Sequence, residues 1–311
     1  AGCLVPSDLD ARDADGVVLR DALVAFGGDP NAAASAAYAR EEALAYLEVH
    51  IEQGPVLEAE GLPIGIVTSI AGQSRFSVTV TGEAGHAGTV PMPLRRDALA
   101  ASAELMLAIE EVARAGQAHQ MVATVGRLAA KPGAVNVIPA EVVFTLDIRA
   151  DADAPRLSAI AELYARFQAI ANRRGVSVMM DKFYESPTTP CAPRLQEAFA
   201  AAAGDLGLPQ RRLASGAGHD GHAMHHLTDV GMLFVRCRGG ISHNPAEFAA
   251  IDDMGLAVEA LIKAVERLAA RSARRGGPVG AAQLRDRARP PAVLLAPGRC
   301  GVTPLEGVAE T

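Results

Sequence analysis

Three groups of residues in this chain have types and spacings suited to chemistry. The first is Leu47-Glu48-Val49-His50-Ile51-Glu52-Gln53-Gly54-Pro55. Its alternation predicts a strand with Leu47, Val49 and Ile51 on one face and Glu48, His50 and Glu52 on the other. Gly54-Pro55 stops it. An imidazole between two carboxylates at a strand end is a candidate metal ligand, although a solvated polar face has the same pattern. The second group is Gly85-His86-Ala87-Gly88-Thr89. A histidine in a glycine-rich loop suits contact with an anion or a carbonyl oxygen, or with solvent. The third combines Gly216-Ala217-Gly218-His219-Asp220 with Ile241-Ser242-His243-Asn244-Pro245. His219, His222 and His226 fall at helical spacings that place two or three on one face, as a metal site or as surface residues. A serine nucleophile at Ser215 or Ser242 lacks the Gly-x-Ser-x-Gly elbow that would present it.

The elements that must position these groups follow from periodicity. Leu19, Leu23 and Phe26 line a short helix that Gly27-Gly28 ends. Val56 to Glu60 fits a helical turn closed by Gly61, and Ile64 to Ile70 is an apolar strand. After the joint Ala71-Gly72-Gln73, Phe76, Val78 and Val80 alternate as a strand, and Gly82 to Pro93 is a loop. Leu94, Ala98, Leu105, Ile109 and Val112 recur at helical spacing. Met121 to Leu128 is a strand, and Lys131-Pro132-Gly133 is a turn. Val142, Phe144, Leu146 and Ile148 form another strand, with Asp147 and Arg149 on its opposite face. Asp153 and Pro155 start a helix that Gly175 ends, and Val176 to Phe183 is a strand. The order strand-helix-strand-strand-helix-strand is that of a ferredoxin-like unit. Beyond it come a helix from Pro193 to Leu206, an extended Arg211 to Ala217, a helix from Gly218 to Leu227, a strand from Val230 to Arg236 and a last helix from Asp252. The expected fold class is therefore α/β, with a smaller α+β domain inserted in it. The expected boundaries are residues 1–72 and 187–270 for the two segments of the first domain and 73–186 for the insert. Residues 271–311 have the composition of a disordered tail.

Composition narrows the function. The chain has 311 residues, half of them hydrophobic, with a formal charge of -7. That charge argues against nucleic acid as a main partner. No apolar run approaches the ~18–20 residues of a membrane span, and no signal peptide is visible. Cys3, Cys191, Cys237 and Cys300 are scattered, which fits a reducing compartment better than a disulfide framework. A cytoplasmic protein is expected. The chain opens on Ala1, and its natural start is expected upstream.

Six ordered segments resemble the allantoate amidohydrolase and N-carbamoyl-L-amino-acid hydrolase branch of the M20 metallopeptidase superfamily. They are Val49 to Pro55, Gly85 to Met92, Val135 to Pro139, Asp147 to Arg149, Ser215 to Asp220 and Gly240 to Glu247. The resemblance runs from about residue 10 to about residue 270. It implies a catalytic α/β domain with a two-metal site, zinc or manganese, and an inserted lid that carries substrate contacts and a homodimer interface. It implies that His50 and His243 each bind one metal, and that Glu48 and Glu52 bind neither. Gln73, Asn136 and Arg149 would hold the substrate, Arg149 through a carboxylate, because a guanidinium fork matches one with two parallel hydrogen bonds. His86 would polarise the scissile carbonyl of the neighbouring subunit's site. Gly216 and Gly218 would let backbone approach the substrate. The implied activity is hydrolysis of a linear ureido acid, such as allantoate in purine catabolism or an N-carbamoyl amino acid. Gln73 beside Ser74-Arg75 leans towards allantoate.

The resemblance also implies parts that this chain does not display. The family's His-x-Asp motif and bridging aspartate have no counterpart here, and His50 is the first histidine. Its Glu-Glu pair, a general base and a ligand, is not matched by Glu41-Glu42 or Glu110-Glu111. The chain is therefore expected to correspond to the C-terminal two-thirds or so of the family's chain, with weakened metal binding, impaired turnover and exposed apolar edges in the catalytic half. The competing readings are a non-catalytic lid and dimerisation fragment, and a dipeptidase or aminoacylase of the wider superfamily.

Overall fold

The computed structural model describes residues 1–274. The chain divides into two compact units. Of the described residues, the first comprises 1–68, 190–213 and 218–274; the second comprises 69–189 and 214–217. Of the tail expected at 271–311, residues 271–274 belong to the last helix, Ile251–Arg274, and the rest lie outside the described residues.

A mixed sheet forms the frame of the first unit. Its order is Tyr46–Ile51, Val230–Val235, Ile64–Ile70 and Thr189–Pro190, with Arg212–Ser215 also paired to Ile64–Ile70. Tyr46–Ile51 runs parallel to Val230–Val235, which is antiparallel to Ile64–Ile70. Ile64, Ile66, Leu233 and Val235 pack with Leu195, Phe199, Ala257, Ala260 and Ala264 of the helices Pro193–Asp205 and Ile251–Arg274. Leu47 and Val49 lean on this same cluster. Strand alternation therefore turns Tyr46, Glu48 and His50 to the sheet's other face. Among the described residues, Tyr46–Ile51 pairs with Val230–Val235 alone. On the last helix Ile251, Met254, Val258, Ile262 and Val265 are exposed along one side.

The second unit has the ferredoxin-like order. Its antiparallel sheet reads Val122–Thr124, Glu141–Ala150, Gly72–Thr81, Ser177–Ser186, with Leu128–Lys131 also on Glu141–Ala150. The helices Ala98–Ala115 and Asp153–Arg174 pack on one face, through Leu105, Ile109, Leu163 and Phe167 against Phe76, Val78, Phe144 and Leu146. The first helix starts later than the apolar period predicts. Asp97 caps it, accepting from the Leu99 and Ala100 amides at 2.9 and 3.0 Å, and Leu94 falls in a preceding 3-10 turn. The expected single strand from Met121 to Leu128 is two short strands, Val122–Thr124 and Leu128–Lys131. The expected loop at 82–93 contains a two-residue strand, Gly85–His86, paired with Val137–Ile138.

Phe144 is fully buried in this second core. Phe144→Ala is expected to cost about 3–5 kcal/mol, measured by chemical denaturation. A cost below about 1 kcal/mol would mean that the unit is loosely packed.

Candidate functional site

The His50 strand brings together the first constellation, all of it in the first unit. Glu48 and His50 pair in register with Met232 and Phe234, so all four share one face. His219 lies on this face with its side chain fully buried, 5.9 Å from the Phe234 ring between centroids. Its ring meets the His50 ring edge-on at 4.6 Å, and its Nδ1 is 3.5 Å from Glu48 Oε1. Glu48 also accepts the Gly221 amide at 3.1 Å. Burial works against the Glu48 charge, but the His219 side chain and the Gly221 N–H outweigh it and hold the carboxyl below its usual range. Tyr46 is next to it; burial and the Glu48 carboxylate push its phenol up to about 12, so it stays protonated. His50 Nδ1 lies 2.8 Å from the Ile51 carbonyl. That contact makes Nδ1 the protonated nitrogen and leaves the Nε2 lone pair available, which is how metal-bound imidazoles are commonly oriented.

Glu52, on the same polar edge by sequence, does something else. Its two carboxylate oxygens accept the Val56 and Leu57 amides at 2.9 Å each, capping the helix Val56–Glu60. The helix expected from Gly218 to Leu227 is only the turn Gly221–Met224. Among the described residues His219, His222 and His226 do not make up a group of candidate metal ligands, although His222 lies near His226 and His225; burial, and after it their charges, push its imidazole down. Among the described residues the one group of three candidate metal ligands is Glu48, His50 and His219.

His243 sits in a loop held against the end of the His50 strand. Gly240, at φ 65°, lies so close to Gly54 that a Cβ there would come within 2.7 Å of its carbonyl carbon. The Gly239 amide donates to Glu58 at 2.7 Å. His243 and Gln53 have left-handed φ of 55° and 56°, a conformation that costs a non-glycine residue about 1–2 kcal/mol. They meet: Gln53 Nε2 is 3.4 Å from His243 Nε2 and donates to Ser242 Oγ at 2.5 Å. Ser242 is thereby engaged, and Ser215 is buried with its Oγ accepting the Ala217 amide at 3.1 Å.

The second unit gathers the remaining residues in two places. On the sheet face away from its helices, Gln73 is opposite Arg149, and Arg75 is opposite Asp147. Asp147 accepts Arg149 Nε at 2.9 Å and Nη2 at 2.8 Å, Gln73 Nε2 at 2.9 Å and Arg75 Nε at 3.0 Å. Arg149 Nη1 donates to the Gly216 carbonyl at 2.7 Å. A Cβ at Gly216 would meet nothing within 4 Å, and the same is true at Gly218, which belongs to the first unit. The other place is the ribbon of Gly85–His86 and Val137–Ile138, where the Ala87 amide donates to the Asn136 carbonyl at 2.9 Å. His86 Nδ1 accepts the Gly88 amide at 3.1 Å, so in the neutral ring the proton is on Nε2. His86 therefore presents a donor, the polarity a carbonyl oxygen requires. Arg95 ties down the loop through the Ala87 and Val90 carbonyls at 2.5 and 3.0 Å.

Three of the four glutamates in the pairs Glu41-Glu42 and Glu110-Glu111 are engaged elsewhere. Glu42 accepts the Ala39 amide, Glu110 pairs with Arg114 at 2.5 Å, and Glu111 pairs with Arg166 at 2.9 Å. Cys3, Cys191 and Cys237 are free thiols, and Cys300 lies outside the described residues. No described helix is long and apolar enough to cross a membrane.

Comparison with known proteins identifies the family. Residues 22–267 match the profile of Peptidase family M20/M25/M40. The chain is 41% identical to the N-carbamoyl-L-amino acid amidohydrolase of Geobacillus stearothermophilus, covering 86% of this chain and 65% of that protein. It is 39% identical to the allantoate deiminase of Arabidopsis thaliana, covering 86% and 56%. Among solved structures, an amidase of the hydantoinase/carbamoylase family from Burkholderia multivorans matches with a TM-score of 0.76 and 32% identity, covering 83% of this chain and 62% of that one. The chain thus spans 56% to 65% of the length of these relatives.

Burial raises the Asp147 carboxyl, but Arg149, Gln73 and Arg75 outweigh it and leave it below its usual range. A depressed carboxylate stabilises the fold above its unfolded pKa and loses that contribution as pH falls through the folded one. Asp147→Asn is therefore expected to cost on the order of 2 kcal/mol at neutral pH. The gap to the native chain should close below the depressed value. A gap that stays constant through the acid range would contradict this assignment; thermal melts across pH measure it.

Proposed function

Because the chain belongs to Peptidase family M20/M25/M40, we propose that it serves metal-dependent hydrolysis of a carbon–nitrogen bond in a linear ureido acid, allantoate or an N-carbamoyl-L-amino acid. The observation that carries this reading is the orientation of His50, whose Nδ1 is taken by the Ile51 carbonyl and whose Nε2 is left for a metal. In the proposed site His50 and His243 hold two divalent ions, zinc or manganese. Such ions would acidify a bound water and stabilise the oxyanion that forms when it attacks the ureido carbon.

The chain's other residues bind and orient. Asp147 takes two nitrogens of Arg149 and fixes the direction of its third. The substrate carboxylate would displace the Gly216 carbonyl from Arg149 Nη1. Gln73 and Asn136 add amide contacts, and the backbone at Gly216 and Gly218 offers close approach. His86, carrying its proton on Nε2, donates to the scissile carbonyl from a partner subunit in a homodimer formed through residues 73–186. A small-molecule substrate and a cytoplasmic location complete the reading.

One observation favours a second reading for the chain by itself. Glu42, Glu110 and Glu111 are each held by other partners, so none stands ready as the base that takes the water's proton. A lid and dimerisation role without turnover would follow.

Ammonia release from allantoate and from N-carbamoyl amino acids, with zinc or manganese added, separates the two readings. The hydrolase reading expects metal-dependent release. It also expects Arg149→Lys to raise KM about 10–100-fold with a smaller effect on kcat, because the lysine loses the bidentate grip. A folded chain that releases no ammonia from either substrate supports the non-catalytic reading.

A further inference from the structure

We propose that Arg75, backed by Tyr184, forms a second subsite beside Arg149, which selects substrates whose second arm carries a neutral acceptor oxygen, the carbonyl of an amide or ureido group. The inference rests on the reading of Arg149 as the partner of the substrate carboxylate. It gives a role to Arg75, which the carboxylate grip itself does not use. All the residues concerned belong to the second unit.

Strand register puts the two cations side by side. On the sheet face away from the helices, Arg75 stands opposite Asp147 on one neighbouring strand and opposite Tyr184 on the other. Arg75 Nε and Arg149 Nη2 donate to the same oxygen, Asp147 Oδ2, at 3.0 and 2.8 Å. The central carbon of the Arg75 guanidinium lies 5.1 Å from the centre of the Tyr184 ring, within the range of a cation–π contact. One edge of the fork and one face are thereby fixed. Among the described residues Nη1 and Nη2 of Arg75 make no hydrogen bond, and the side chain is 38% exposed. Oriented donors without an acceptor, beside a carboxylate grip, suit a second hydrogen-bonding arm of the same ligand.

Charge decides what kind of arm. Two guanidinium ions share one carboxylate, Asp147, which leaves the group a single positive charge. The substrate carboxylate on Arg149 neutralises it. A second carboxylate would add an uncompensated negative charge close to Asp147, whereas a carbonyl accepts the remaining N–H groups without adding charge. An aliphatic arm would strip water from Nη1 and Nη2 and offer nothing in return. A side-chain amide fits, and so does the second ureido group that allantoate carries on the carbon bearing its carboxylate.

Calorimetric titration of the whole chain tests this without requiring turnover. The ligands are N-carbamoyl-L-asparagine, its near-isosteres N-carbamoyl-L-leucine and N-carbamoyl-L-aspartate, and allantoate. The asparagine compound and allantoate are expected to bind about tenfold more tightly than the leucine and aspartate compounds. Arg75→Met should remove that preference and leave the affinity for N-carbamoyl-L-leucine within about twofold, whereas Arg149→Lys should weaken all four ligands. The ligand series on the native chain does not depend on how a variant folds. There, the side-chain NMR resonances of Arg75 should shift with the asparagine compound and not with the leucine compound. Equal binding of the asparagine and leucine compounds, tighter binding of the aspartate compound, or a preference that survives Arg75→Met would overturn the second subsite and leave the reading of Arg149 standing. Binding that is insensitive to Arg149→Lys, or no binding of any of the four at millimolar concentration, would overturn the reading of Arg149 and the second subsite with it.

Discussion

The candidate site depends on the two-residue period of the strand Tyr46–Ile51. Leu47 and Val49 must reach the apolar cluster built on the helices Pro193–Asp205 and Ile251–Arg274. Once they do, Tyr46, Glu48 and His50 face the other way, beside Met232 and Phe234 of the neighbouring strand. A one-residue slip would bury the charges and expose the leucine and valine, so the hydrophobic effect sets the direction of the imidazole. The Ile51 carbonyl then fixes its tautomer.

The same rule builds the second unit. Phe76, Val78, Phe144 and Leu146 enter the core under two helices. That leaves Gln73, Arg75, Asp147 and Arg149 together on the free face, in register. Asp147 is the centre of that group. It compensates two guanidinium groups and, by taking two nitrogens of Arg149, leaves only one edge of the fork for a ligand. A buried apolar face and an aligned polar face are thus two consequences of one alternation.

Much of this was legible in the sequence, and the parts that were not have identifiable causes. The strand Ile64–Ile70, the turn Val56–Glu60 with Gly61 at φ 69°, and the ferredoxin-like order all follow from local period and caps. Glu52 belongs to the polar face by alternation, but its carboxylate turns back to the amides of the next helix; a glutamate ahead of a Pro55 N-cap is not a standard capping signal, so the sequence does not announce it. The pairing of Gly85–His86 with Val137–Ile138 was hidden because two-residue strands carry no period. The association of Glu48 with His219 was hidden for a different reason. It joins a strand to a loop far along the chain, and only the tertiary fold brings them within 3.5 Å. Helical spacing at His219, His222 and His226 points to another ligand group, which is not found among the described residues, where the helix is only the turn Gly221–Met224.

The account's central claim is that His50 is oriented to bind metal through Nε2. The most direct test is NMR of the histidine ring nitrogens during zinc titration. The account predicts that His50 is the Nδ1–H tautomer before zinc is added and that its Nε2 resonance shifts as zinc binds. A His50 ring protonated on Nε2, or one whose nitrogens do not respond to zinc, would contradict it.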